Sequence, residues 1–171
     1  MKKAASVFLR AEITPMDVER MIHWMENPEV TRYLNEDAQV AASLRQLVRT
    51  VPGPMLTCRF NQGGRFFLAC HEQEGAIGYV RLRHLSPEGM ETVYVIGEDA
   101  LWGQGYGKSA LRLALAHGFL QERASHMVAK VHAENVRSLR AVRSCGFRET
   151  GTYGELTHYR MTVEEYLKGL R

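Results

Sequence analysis

The residues best suited to chemistry lie in one run, Trp102-Gly103-Gln104-Gly105-Tyr106-Gly107-Lys108-Ser109-Ala110. Alternating glycines let backbone N–H groups approach a ligand, and a helix that starts there adds the positive end of its dipole. Together these features bind phosphate. Three phosphate ligands compete for such a turn, beside the alternative of a turn that binds nothing. A P-loop is excluded, because the first glycine of GxxxxGK[ST] would have to stand where Trp102 does. A dinucleotide turn is matched by Gly105, Gly107 and Ala110, but residues 97–102 separate these glycines from the preceding strand. The next strand ends in Lys130-Val131-His132, without the acidic residue that would hold a ribose, and the remaining chain is too short for a doubly wound sheet. The pyrophosphate of coenzyme A is the third.

Other reactive types organise less well. No GxSxG occurs, and Cys145 reads as a buried helix-end residue rather than a nucleophile. His126 and His132 share a strand face but stand about 20 Å apart at strand rise, too far to ligate one metal. The remaining histidines lack zinc spacing, so no metal is expected.

The elements that must position the glycine turn follow from periodicity. Residues 7–13 predict a strand. Thr14-Pro15-Met16-Asp17 predicts a helix start, and Val18, Met21, Ile22 and Met25 supply its apolar stripe. Asn27-Pro28 stops that helix. Short helices are expected over 28–34 and 40–51, and a strand around 55–60 between turns at 52–54 and 63–64. The β-rich runs 65–71, 76–85 and 91–96, separated by short turns, predict an antiparallel meander. A long helix over 104–121, a strand over 127–131, a helix over 136–144 and a strand over 157–161 come next. Thr162-Val163-Glu164-Glu165 is a capping box that opens a terminal helix. The expectation is a single domain over 1–171, α/β (α+β), with a mixed, largely antiparallel central sheet flanked by helices.

The composition is 45% hydrophobic and 24% charged, which is ordinary for a globular chain. No apolar run approaches the about 18 residues of a membrane span, and Arg10 and Glu12 interrupt the N-terminal stretch before a leader's apolar core forms. The cysteines (Cys58, Cys70, Cys145) lack CxxC spacing, which fits reduced thiols and a cytoplasmic location. A net charge of +3 suits an anionic ligand but is no nucleic-acid footprint.

These segments resemble the GNAT superfamily of N-acetyltransferases. Its Q/R-x-x-G-x-G/A pattern is followed over 102–107, with Trp102 in place of Gln or Arg, and W-G-x-G-Y is typical of the RimJ/RimL-like branch. Asn135-Val136-Arg137-Ser138 with Cys145-Gly146-Phe147 is similar to that branch's N-x-x-S…G-F helix, and Asn27-Pro28-Glu29-Val30-Thr31-Arg32-Tyr33-Leu34 to its N-P-E-V-x-x-Y-L segment. The resemblance implies the acyl-CoA N-acyltransferase fold and transfer of an acetyl group from acetyl-CoA to a primary amine. The acceptor would be a peptide N-terminus, a polyamine or another small amine, handled by a monomer or homodimer without nucleic acid or membrane.

Further residue roles come from the same resemblance. Backbone N–H groups of Gln104, Gly105, Tyr106, Gly107 and Lys108 are expected on the pyrophosphate. Val95, Ile96 and Gly97 are expected on pantetheine, beside a bulge at Gly97, with an N–H near Ile96 or Gly97 as oxyanion donor. Asn135, Arg137 and Arg140 join the coenzyme A set, an arginine meeting the 3′-phosphate. Glu91 is the expected general base, with Glu98 and Glu155 in reserve. The family's usual tyrosine acid falls at Val142, so Ser138 is the substitute, with Tyr94 or Tyr159 as further choices. That missing tyrosine also supports a rival, a non-catalytic acyl-CoA-binding sensor. Trp24, Arg32 and Tyr33 are assigned to the acceptor end, and the loops 35–39 and 52–64 to shaping it.

Overall fold

Thr14 ends an extended segment and accepts a hydrogen bond from the backbone N–H of Asp17, while the Asp17 carboxylate accepts from the Thr14 N–H at 2.8 Å. This reciprocal cap starts α1 (Pro15–Glu26), whose stripe Val18, Met21, Ile22 and Met25 is buried. The computed structural model describes residues 5–34 and 36–171. The first four residues of the N-terminal stretch considered above as a leader, and Asn35 of the loop 35–39, lie outside them.

Before α1 lies β1 (Phe8–Arg10), and after it come α2 (Pro28–Thr31), α3 (Val40–Thr50) and α4 (Leu56–Phe60). The expected strand over 55–60 is therefore a helix. Its reason is local: Pro54 sits in a 3-10 turn over Gly53–Met55 that leads into it, and Leu56 and Phe60, four apart, share the face that meets the core. The meander follows as β2 (Gly64–His71), β3 (Gly75–His84) and β4 (Gly89–Ile96). Then come α5 (Tyr106–Ala116), widening into a π-turn over His117–Gln121, β5 (His126–His132) and α6 (Val136–Ser144). An antiparallel pair, β6 (Arg148–Tyr153) and β7 (Leu156–Thr162), precedes the capped α7 (Val163–Gly169).

The strands form one seven-stranded sheet in the order β1-β2-β3-β4-β5-β7-β6, antiparallel except where β4 meets β5. The mixed, largely antiparallel sheet is as expected; β6 is an addition, a polar edge strand with no fully buried residue. Side chains alternate between two cores. Val80, Leu82, Met90 and Tyr94 share one with α5, α6 and α7, and Phe66, Leu68, Tyr79 and Val95 share the other with α1 to α4. No helix among the described residues is long and apolar enough to cross a membrane.

Candidate active site

β4 and β5 pair only over 89–91 with 126–128, although β4 stays paired to β3 as far as Ile96 and β5 to β7 along its whole length. The sheet therefore splits between two intact halves. Gly97 N–H donates to Ile77 C=O at 2.8 Å. By the alternation of an antiparallel ladder, the backbone groups of Val93, Val95 and Gly97 then face β3, and those of Tyr94 and Ile96 face the split. Of the two expected oxyanion donors, the Ile96 N–H points into the split, while that of Gly97 is already used. The split opens a cleft of about 410 Å³ lined by Tyr33, Tyr94, Ile96, Trp102, Ser138 and their neighbours. It runs from the α2 side of the sheet to the α6 side.

No bulge forms at Gly97, because the β3–β4 register is continuous. Glycine is needed there for a different reason: a Cβ would lie 2.2 Å from the Trp24 ring. Trp24 is buried, with its indole N–H on the Glu98 carboxylate at 2.8 Å. This corrects two expectations. Trp24 belongs to the core rather than the acceptor end, and Glu98 is committed to it.

The glycine turn leads directly to the helix. Gly103 and Gly105 have φ of +75° and +94°, a region costly for other residues. Gly105 is the N-cap of α5 and provides no side chain, so the first helical bond is Ser109 N–H to Gly105 C=O at 3.0 Å. The N–H groups of Tyr106, Gly107 and Lys108 have no partner within the helix, which leaves an uncapped anion site. The Gln104 side chain donates to Ala100 C=O at 3.3 Å. Lys108 lines the cleft and also, with Arg112, a neighbouring pocket of about 390 Å³. Sequence reasoning missed Arg112. Its spacing of four from Lys108, one helical turn along the same face, was the available signal.

The Trp102 indole N–H donates to Ile96 C=O at 2.8 Å, tying the turn to the end of β4 by a hydrogen bond as well as by packing. The Arg137 guanidinium stacks on that ring at 3.7 Å, and Arg140 lines the same cleft. Asn135 caps α6, accepting from the Ser138 N–H at 3.3 Å and donating to Ser138 Oγ at 3.1 Å, so it positions Ser138.

Ser138 meets Tyr94 in the cleft. Burial pushes the Tyr94 hydroxyl up to about 12, a shift only partly opposed by the neighbouring Ser138 hydroxyl, so the phenol keeps its proton at neutral pH. Tyr159, the other tyrosine considered, is buried away from the cleft lining.

Glu91 is on the α1–α4 face, 7% exposed and enclosed by cations. Arg83 donates to one oxygen at 2.9 Å, and the Lys130 ammonium is 2.9 Å from the other, an ion pair without hydrogen-bond alignment. The expected general base is thus a carboxylate already holding two cations. Glu155, in the β6–β7 turn, is exposed, 3.3 Å from the His132 ring. Tyr33 lines the cleft and packs on His132 at 5.1 Å, whereas Arg32 is exposed over the outer side of Tyr33. Among the described residues no group of three potential ligands could hold a metal.

Comparison with known proteins places this geometry. The model of the acetyltransferase (GNAT) domain matches residues 7–148. A relative from Bacillus licheniformis named as an uncharacterised N-acetyltransferase, p20, is 25% identical over 141 residues, covering 79% of this chain and 75% of the relative. The fold is shared with the spermidine N-acetyltransferase of Vibrio cholerae solved with CoA and spermine. That likeness has a TM-score of 0.77 at 19% identity, over 95% of this chain and 98% of that one. An aminoglycoside acetyltransferase solved with coenzyme A is similar at a TM-score of 0.77 and 15% identity, over 97% of this chain and 100% of its own.

Proposed function

Because the chain belongs to the acetyltransferase (GNAT) domain family, we propose that it transfers an acetyl group from acetyl-CoA to a primary amine through the cleft between β4 and β5. One observation carries the reading: the uncapped N-terminus of α5, with its glycine turn, opens onto the split in the sheet. The residues present fit the cosubstrate. The unpaired N–H groups of Tyr106 to Lys108, with Lys108 and Arg112 beside them, suit a pyrophosphate, and the backbone groups of Tyr94 on the free edge of β4 suit a pantetheine amide.

Acetyl-CoA supplies the activated acyl group, whose transfer breaks a C–S bond and forms a C–N bond. The Ile96 N–H polarises the carbonyl, fixed in direction because Trp102 and β3 hold both sides of that peptide segment. The Tyr94 hydroxyl, still protonated and beside Ser138 in the cleft, delivers a proton to the departing sulfur and takes over the role of the tyrosine missing at position 142. The amine loses its proton to water, since Glu91 is occupied by Arg83 and Lys130. Tyr33 walls the acceptor side.

The test is Gly105→Glu. A carboxylate placed at a φ of +94°, where the phosphates are expected, should abolish acetyl-CoA binding in calorimetry and thiol release with any amine. Retained binding would move the cosubstrate elsewhere.

A further inference from the structure

One face of the sheet is only half covered by helices. The α1–α4 core takes side chains from β2, β3 and β4 and none from β5, β6 or β7. Alternate residues of β5 and β7 on that face, Lys130, His132, His158 and Arg160 among them, are half-buried or exposed, while the residues between them are buried on the other side. The strand register lays out the charges on this open face. Arg83, Glu91, Val128 and Arg160 are opposed in turn from β3 to β7, a row across four strands about 4.8 Å apart. Lys130 and His158 form the next row, and His132 and Leu156 the one after.

These rows carry more positive than negative charge. Glu91 is one carboxylate shared by Arg83 and Lys130, and Arg160 is exposed with no carboxylate partner among the described residues. Three cations against one acid leave two positive charges uncompensated. Arg148, beyond Arg160 on β6, is held by Glu165. The open face joins the cleft through a ring contact: Tyr33 lines the cleft and packs on His132 at 5.1 Å. The exposed Glu155 stands at this end, 3.3 Å from His132. Outward from the cleft, the face therefore presents a carboxylate first and cations after it. A chain leaving over His132 reaches Lys130 after about two extended residues and the Arg160 row after about four. That order complements an ammonium followed by carboxylates. It opposes a polyamine, whose later cations would meet Lys130 and Arg160, and it leaves a nucleic acid without the leading cation that Glu155 suits.

We propose that this open face holds the chain behind the reacting amine, and that the acceptor is the N-terminus of a polypeptide with acidic residues at about its third to fifth positions. This rests on the acetyl-transfer reading for the amine's place in the cleft. Lys130 and Arg160 stand away from the reacting atoms and act on which chain is presented, so their effect belongs in KM rather than kcat.

The test measures thiol release by the full-length protein with acetyl-CoA and pentapeptides in which a serine is followed by glutamates, glutamines or lysines, beside spermidine. The glutamate peptide should exceed the glutamine peptide by about tenfold in kcat/KM, mostly through KM, and should exceed the lysine peptide and spermidine by more. The preference should shrink as salt rises from about 50 to 500 mM, because the contacts are exposed to solvent. Arg160→Glu should lower kcat/KM for the glutamate peptide by about tenfold and raise it for the lysine peptide, with the unchanged Kd for acetyl-CoA as the sign of an intact fold. Equal rates for the three peptides would overturn the inference, as would spermidine as the best acceptor or a glutamate preference surviving Arg160→Glu. If acetyl-CoA binds but no amine releases thiol, the acetyl-transfer reading fails, and fluorescence anisotropy of the glutamate peptide, labelled at its C-terminus, with the CoA-loaded protein decides the docking face. Binding weakened about tenfold by Arg160→Glu supports the inference, and no binding, or tighter binding of an oligouridylate, overturns it.

Discussion

At the residue scale, Glu91 and Tyr94 carry the sharpest predictions. Glu91→Gln removes the counter-charge from Arg83 and Lys130 at once, so stability should fall by about 1–3 kcal/mol in urea unfolding, less than for a fully buried pair because Arg83 is half exposed. Thiol release should stay within a few-fold; a hundredfold loss at unchanged stability would make Glu91 the base. Tyr94→Phe should lower kcat by about a hundredfold or more while the acetyl-CoA Kd is kept, if its hydroxyl is the proton donor. Because burial raises Tyr94 to about 12, the wild-type rate should climb with the amine's deprotonation and show no fall between pH 7 and 10. The same shift sets a stability trend. The folded form holds the proton more tightly than the unfolded form, so the contribution is complete below about pH 10 and is lost as pH rises through about 12. The sequence made Glu91 visible as a strand carboxylate but not its neighbours, because Arg83 and Lys130 arrive from strands on either side. Tyr94 was legible only as a tyrosine in a strand; its meeting with Ser138 depends on how α6 crosses the sheet.

At the element scale, local chemistry decided what could be read. The starts of α1 and α7 were legible because each is a capping box written within four residues, Thr14 with Asp17 and Thr162 with Glu165. The strand expected over 55–60 was misread because turn residues flank a short apolar run, a pattern shared by strands and single helical turns. The spacing of Leu56 and Phe60 was the signal that decided it. β6 was missed because an edge strand with both faces wet has no alternation to detect. The α1 cap gives a test. Burial raises the Asp17 carboxyl, but hydrogen bonds from Arg10 and Thr14 outweigh it and hold it below the ordinary carboxylate range. A group lowered in the fold stabilises above its unfolded value, 3.8, and loses that stabilisation as pH falls below it. Asp17→Asn should therefore cost about 1–2 kcal/mol at pH 7, with the difference from wild type vanishing in acid unfolding curves near pH 2. An equal cost at both pH values would show that packing rather than charge is at stake.

At the scale of the whole molecule, the sheet is two halves joined over a short stretch, with an apolar core on each face. The cleft between the halves is walled by β4, the start of α5, and α6, so a ligand filling it ties together elements otherwise linked by few strand bonds. A ligand that binds only the folded state stabilises by RT ln(1 + [L]/Kd), about 2.7 kcal/mol at a hundredfold excess over Kd. In a chain of this length each kcal/mol is worth about 2–4 °C, so coenzyme A at that concentration should raise Tm by about 5–10 °C. ATP and NAD share the phosphates but lack the pantetheine that the free edge of β4 would hold. At the same concentration they should move Tm by less than about 1 °C, since loss of the pantetheine contacts should lower affinity by about a few hundredfold. Gly105→Glu should flatten the coenzyme A shift while leaving the unliganded Tm within a few degrees, because the exposed turn packs little of either core. If ATP raised Tm as far as coenzyme A did, recognition would stop at the phosphates, and the split in the sheet would have no part in binding.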